Sequence, residues 1–440
     1  MCFSLWSRLL LIALGLLVLF RSEQEALYKI LDDTNAAVRE EGYGNGFSNG
    51  DDGHLDRFDI AKRTSFSACL VLQNEHENQY LTEWIAYHYH VLPLRRLIVW
   101  RDPLSETSPD GILAKWKNRI NITLWDHTDQ IYPPGHPYHK QQRKQHDNLY
   151  DYEQKSELMS HHDKMQQRNT RQDIFFGSCL RRLKREGRSW AMLSHTDEYT
   201  LINPRVRNES DPLHKKASVI HIDPHSSSSE VLELSVPSQN ESGSVLKWLH
   251  RSQPYSYASP HYILSQPCIP LTSKQFGTKE LPDLENRTTV LGDKHSYKDF
   301  LTLRWRYWGH PEHHVKAPVT RKSFVDLSRI PMSLLHWKVD SHRPVPHSDV
   351  CDVTHLHEVD SVFVVHHYSG TTERLKYGET AEEMKSQLSF GLYREERLHV
   401  DDIHNAFFEG NTIPQWLDGF VADVGLEEAQ QLLEGVGHLQ

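Results

Sequence analysis

The sequence predicts an α/β domain whose mostly parallel sheet is flanked by helices, set behind an N-terminal membrane anchor and a stem. Three observations predict it. From Phe66 onward, short β-prone apolar runs alternate with segments of helical spacing. One of the later runs ends in a pair of acids, Asp197 and Glu198. At the N-terminus an unbroken apolar stretch gives way to a long polar segment.

The apolar stretch is Leu9 to Phe20, preceded by Arg8 and followed by Arg21. Its length is that of a signal-peptide core, but no small-x-small cleavage site follows, so the flanks favour an uncleaved signal anchor over a cleaved signal. Either way the rest of the chain is expected in the secretory lumen. Residues 1–21 are therefore read as cytosolic tip and anchor, and residues 22–63 as a stem. The stem is rich in charge at first, then in Gly, Asn, Ser and Asp. Such a composition buries too little apolar surface to offset the entropy of ordering it.

The folded domain is read over residues 64–385, with a helical extension over 386–440. Phe66–Leu72 is a buried strand by its continuous apolar run. Tyr80–Val91 has helical spacing, with Leu81, Trp84, Ile85 and His88 on one face. Leu97–Trp100 is a second strand, Gly111–Asn118 a helix and Asn121–Trp125 a third strand. This β-α-β-α-β rhythm implies parallel strands joined by crossovers. Residues 133–171 are polar, in part helix and in part insertion. Gln172–Arg185 is an amphipathic helix, and Trp190–Leu193 is the strand that runs into Asp197 and Glu198. Later landmarks are Cys268–Glu280, Ser323–Ile330, Leu334–Lys338 and Val362–Gly370, and helices are expected in the tail.

Composition narrows the function. The net charge of the 440 residues is −10, with no basic stripe to neutralise phosphates, which excludes a nucleic-acid partner. No His-Glu-x-x-His, Gly-x-Ser-x-Gly, Cys-x-x-Cys, P-loop or dinucleotide fingerprint occurs. Four Asn-x-Ser/Thr acceptors, at Asn121, Asn208, Asn240 and Asn286, all lie after the anchor. Cys69, Cys179, Cys268 and Cys351 form an even set suited to an oxidising compartment, and three pairings are open to them. The 30 histidines read mostly as compositional bias on solvated loops. Trp305, Tyr307 and Trp308 would suit a sugar ring or, equally simply, a core.

The chemistry concentrates at the strand that ends in Asp197 and Glu198. Ligands of open α/β sheets bind off the carboxyl ends of the strands. A nucleotide-sugar needs a divalent cation held by hard ligands to neutralise its diphosphate. Taken alone, an acidic strand end is as readily a capped turn. Its company is a set of motifs in a fixed order: Gln73-Asn74-Glu75, Glu83-Trp84 with Tyr87-His88, then Asp102 and Ser108-Pro109-Asp110-Gly111. Arg171-Gln172, Phe175-Phe176 and Cys179 follow, then His195-Thr196-Asp197-Glu198-Tyr199, Phe276-Gly277-Thr278-Lys279-Glu280 and His366-His367-Tyr368-Ser369-Gly370. In this order, over Phe66 to Glu373, the chain resembles glycosyltransferase family 92 and its GT-A relatives.

The resemblance implies a GT-A-like domain that transfers a sugar, galactose by the family's habit, from a UDP-linked donor to a hydroxyl of a glycan or glycoprotein with inversion. It implies that Asn74 and Glu75 line the nucleotide pocket, that Asp102 meets the nucleoside and that Asp110 lies nearby. Asp197 and His367 would hold the metal, Mn²⁺ by preference, with Glu198 the acid beside it. Glu280 would be the base for the acceptor hydroxyl. His195 stands where the family has the first Asp of Asp-x-Asp, and places a neutral ring in the donor pocket. That departure keeps a second reading open, a non-catalytic lumenal relative that binds a glycan or nucleotide. The expected location is a Golgi or other secretory-pathway membrane, as a single-pass protein with the domain in the lumen.

Overall fold

The run Phe66–Leu72 is buried at all seven positions and forms β1. It is followed by α1 (Asn78–Val91), β2 (Leu94–Arg101), α2 (Asp110–Trp116), β3 (Asn121–Trp125), α3 (Thr128–Ile131), α4 (His161–Arg185) and β4 (Trp190–His195). After β5 (Glu198–Ile202), β6 (Ser218–Ile222) and β7 (Ser229–Glu233) come β8 (Cys268–Phe276), β9 (Thr288–Thr289), β10 (Gly292–Ser296), α5 (Leu301–Arg304), β11 (Tyr307–Gly309) and β12 (Lys322–Asp326). The last elements are β13 (Phe363–His367), β14 (Phe407–Phe408), α6 (Gln415–Val424) and α7 (Leu426–Leu432). The computed structural model describes residues 65–72, 77–102, 105, 107–126, 128–132, 161–202, 218–222, 229–233, 241–246, 249, 267–276, 280–309, 322–340, 351, 363–368, 407–408 and 413–437. All belong to one unit, Arg57–Gln440. The expected anchor and stem lie outside the described residues, among which no helix is long and apolar enough to cross a membrane.

The sheet has ten strands in the order β14-β11-β8-β12-β4-β1-β2-β3, with β13 paired to β8 and β5 paired to β13. The expected parallel block is present: β1 pairs in parallel with both β2 and β4, and β2 with β3. Strand β12 runs antiparallel between β4 and β8. Strand β8 joins two regions. Cys268–Leu271 pair with β12, while Thr272–Gln275 run parallel to β13. Strands β5, β11 and β14 are the other antiparallel members.

Side-chain alternation along β1 shows why its run is apolar throughout. Phe66, Ala68, Leu70 and Leu72 face a core shared with α1, α2, α6 and α7. Cys69 and Val71 face a second core that contains Phe175, Phe176 and Leu180 of α4. With helices on both faces neither set of positions meets water, and period-two patterning disappears. Two disulfides close the framework. Cys69–Cys179 ties β1 to α4, and Cys268–Cys351 anchors the start of β8.

Three elements differ from the sequence reading. Helix α1 is buried at every position but Tyr89, not along one stripe. The reason is tertiary: α6 packs against it, with Tyr87 edge-on to Trp416 at 5.5 Å, and β5 lies alongside. Helix α4 begins at His161, within the stretch read as part helix and ahead of Gln172, because its polar first turns give no apolar stripe to mark the start. The Leu334–Lys338 landmark is the end of a single 3₁₀ turn, Met332–Leu334, with irregular chain after it. The C-terminal helices share the α1 core through Trp416, Leu417 and Phe420.

Candidate functional site

The parallel strands bring their carboxyl ends to one edge. Val71 of β1 is level with His195 of β4, and Leu72 is level with Arg101 of β2. Asp102 therefore leaves β2 at the same edge where β4 enters its turn. That turn is two residues long, Thr196 and Asp197, and Glu198 begins β5. Strand β5 pairs with β13 rather than with β4, in a register that sets Glu198 opposite His367.

The turn is held from three sides. Helix α1 reaches it through Trp84, whose indole N–H donates to the Glu198 carbonyl at 3.0 Å. The Tyr87 hydroxyl donates to the Thr200 carbonyl at 3.1 Å. The His88 ring contacts the Trp84 carbonyl through Nδ1 at 2.9 Å and accepts from the Thr200 amide through Nε2 at 3.4 Å. That pair of contacts fixes the neutral tautomer with the proton on Nδ1. Burial agrees, pushing the His88 pKa down to about 3. From the far side, the Tyr368 amide donates to the Asp197 carbonyl at 2.9 Å.

Within this frame the two acids do different things. The Asp197 carboxylate, 2% exposed, lies 3.1 Å from Nε2 of His367. Burial lowers the His367 pKa, against the pull of Glu198, and keeps the ring neutral near pH 7. The Glu198 carboxylate turns instead into the sheet. It lies 3.1 Å from Nζ of Lys322, with both side chains at most 4% exposed, and accepts from the His195 amide at 2.9 Å. Burial works against its charge, but Lys322, His195 and His367 together hold its pKa well below the usual carboxylate range.

The remaining candidates are placed as follows. Nε2 of His195 contacts the Gln172 side-chain amide, and Nδ1 lies 3.5 Å from Glu198. Asp102 is 1% exposed, and Arg171 donates to it at 2.9 Å. Consecutive residues of α4, Arg171 and Gln172, thus tie the end of β2 to the end of β4. Asp110 stands exposed at the start of α2, accepting from the Ser108 hydroxyl at 2.6 Å. Glu280 follows β8 and forms an isolated bridge with Trp305. Its carboxylate is ion-paired with Arg304 at 2.5 Å. Trp305 is buried at 2% exposure, as a core residue would be. Asn74 and Glu75 lie outside the described residues.

The structure therefore brings together His195, Asp197, Glu198 and His367, and joins Asp102 to them through α4. Lys322 and Trp84 complete the cluster, and sequence reasoning gave neither a role there. Trp84 reads as core, and Lys322, the first residue of β12, carries no local signal. Among the described residues, no group of three or more His, Cys, Asp and Glu side chains is arranged to hold a metal ion. Asp197 and His367 offer one oxygen and one neutral nitrogen, a donor pair that suits a divalent cation only if a ligand or water completes the shell.

No family model matches the chain, and no curated protein matches it. The family 92 resemblance therefore rests on the motifs that carry it. Among solved structures, the crystal structure of S. aureus TarS 1-349 is similar, at 11% identity and a TM-score of 0.25, over 84% of this chain and 81% of that one. A likeness at that TM-score defines neither fold nor activity.

Proposed function

We propose that this chain is a GT-A-like glycosyltransferase that moves a sugar from a nucleotide donor to a hydroxyl of a glycan. The observation that carries the reading is the Asp197–His367 pair, presented at the carboxyl edge of a parallel sheet by a turn that α1, β12 and β13 immobilise. That edge is where α/β sheets bind ligands, and the ordered motifs leading to it support the donor class. In this reading Asp197 and His367 hold a divalent cation, Mn²⁺ by preference, and the diphosphate of a UDP-sugar supplies further oxygens. The bound cation would offset charge on the leaving diphosphate. Glu198 is not a ligand here: Lys322 neutralises it, and its task is to fix the turn. Asn74 and Glu75 line the nucleotide side. Asp102 acts through Arg171, and Asp110 serves as the first-turn acid of α2.

Glu280 is the candidate base for the acceptor hydroxyl in an inverting displacement. Its carboxylate is paired with Arg304, so an acceptor hydroxyl must first take the place of the guanidinium. Galactose is the donor sugar by resemblance, and a lumenal, membrane-anchored location follows from the N-terminal stretch. The full-length protein should turn over a UDP-sugar in the presence of Mn²⁺, and Asp197→Ala should abolish that turnover without changing the melting temperature by more than a few degrees. Undiminished turnover in Asp197→Ala would remove the site. One observation favours a second reading, a binding protein without chemistry. His195 replaces an acid, and its ring is engaged by Gln172 and Glu198 rather than turned to a ligand. That reading predicts UDP binding with no turnover of any UDP-sugar.

A further inference from the structure

The two ends of the large sheet are protected differently. One end is β14, Phe407–Phe408, too short to template another chain. The other is β3, Asn121–Trp125, which among the described residues pairs with β2 alone. Strand β3 keeps unbroken register with β2, without a bulge. Its residues, Asn-Ile-Thr-Leu-Trp, include no charge and no proline, and Ile122, Thr123 and Trp125 all favour strand. Where β1 is buried at every position, Asn121 is exposed and Ile122, Thr123 and Leu124 are only half-buried. A regular, apolar, partly open edge strand of this kind is a template for pairing with a second copy.

The first residue of the strand supplies what the rest lacks. Asn121-Ile122-Thr123 is an Asn-x-Thr acceptor. The fold holds the backbone of this tripeptide and leaves its amide side chain unused. The Arg96 guanidinium, 2% exposed and paired with Glu186 at 2.7 Å, donates to the Asn121 carbonyl at 3.1 Å and to the Thr123 hydroxyl at 2.9 Å. The Asn121 side chain has no hydrogen-bond partner among the described residues. Asparagine is a poor strand former, so local propensity does not account for it either. A glycan on that amide displaces no contact of the fold. It is bulky and hydrophilic, and an incoming strand must approach β3 to about 4.8 Å, so the two compete for the same space. Asn286, the other described acceptor, is exposed at the end of the 3₁₀ turn Leu284–Asn286. The strand after it, β9, is two residues long and paired with β10, so a glycan there has no long edge to guard.

We propose that Asn121 carries an N-linked glycan that shields the open edge of β3 against pairing with a second copy of the chain. The glycan requires the lumenal location proposed above and does not depend on sugar transfer. The test uses the full-length protein made in cells with an N-glycosylation pathway. Occupancy is read by peptide mass spectrometry after enzymatic deglycosylation in heavy-oxygen water, and Asn121 should be labelled in most molecules. Asn121→Gln should raise the mass seen by light scattering about twofold or more, as copies pair through the edge. Asn121→Lys, which sets a charge on the edge in place of the glycan, should stay as dispersed as the parent, and so should Asn286→Gln. A bare Asn121 beside an occupied Asn208, Asn240 or Asn286 would overturn the site and leave the lumenal location standing, whereas a chain with every acceptor bare would overturn both. An occupied Asn121 whose loss leaves the protein dispersed, or an Asn121→Lys protein that associates as readily as Asn121→Gln, would overturn the shielding role.

Discussion

Replacing Lys322 by Met should be among the most damaging single changes near the site, and the structure sets the size of the effect. Lys322 and Glu198 are 3.1 Å apart and at most 4% exposed. At an effective dielectric of about 20, two unit charges at that distance attract by about 5 kcal/mol. Most of this offsets the cost of taking both ions out of water, so the intact pair adds little net stability. Removing one partner is different, because Glu198 is left as a buried charge without its nearest cation, facing the His195 amide at 2.9 Å, the Ser194 hydroxyl at 3.5 Å and the His195 ring at 3.5 Å. The expected loss is about 3–5 kcal/mol. Glu198→Gln should also destabilise, by removing the carboxylate charge that the buried ammonium faces. The double variant should be less destabilised than the two singles added together, by about 2 kcal/mol or more. Denaturant unfolding of the four proteins in the cycle measures this directly. A Lys322→Met protein within about 1 kcal/mol of wild type, or strict additivity, would refute the argument that Glu198 is neutralised internally and is thereby withheld from a cation.

Two further predictions concern the frame around the turn. His88 is buried neutral with its pKa lowered to about 3, so its contribution is complete above the unfolded value near 6.5 and is lost as pH falls toward 3. Between pH 7 and pH 5 this group alone should cost about 2 kcal/mol. His88→Gln should flatten the acid-side decline by that amount in unfolding curves at the two pH values, and an unchanged decline would count against the buried neutral ring. Gly177 on α4 faces the Trp337 backbone so closely that a Cβ would overlap its carbonyl and lie 2.7 Å from the His336 carbonyl oxygen. Gly177→Ala should therefore destabilise by about 1–3 kcal/mol, read as a lowered melting temperature, despite alanine's better helix propensity.

Much of the architecture is legible in the sequence where a local pattern carries it. Phe66–Leu72 and Asn121–Trp125 have the bounds their apolar runs suggest. The acids just after β4 stand out through the ordered motifs around them, since an acidic strand end alone is as readily a capped turn. What was hidden comes from distant chain. Helix α1 shows an apolar stripe, yet α6 buries its other side from the opposite end of the domain. Asp197 and Glu198 look alike as neighbours, and only Lys322, arriving on an antiparallel strand, separates their roles. Glu83 reads as a motif acid, but both its oxygens accept amide protons from Leu301 and Thr302, which makes it the internal cap of α5. The cysteine pairing could not be chosen from spacing, since it depends on α4 lying across β1.

The central claim is that Asp197 and His367 form a cation-dependent diphosphate site. Calorimetric titration of the full-length protein with UDP, with and without Mn²⁺, tests it most directly. The account predicts binding that requires Mn²⁺ and disappears in both Asp197→Ala and His367→Ala. UDP binding that is indifferent to the metal and to both substitutions would contradict it.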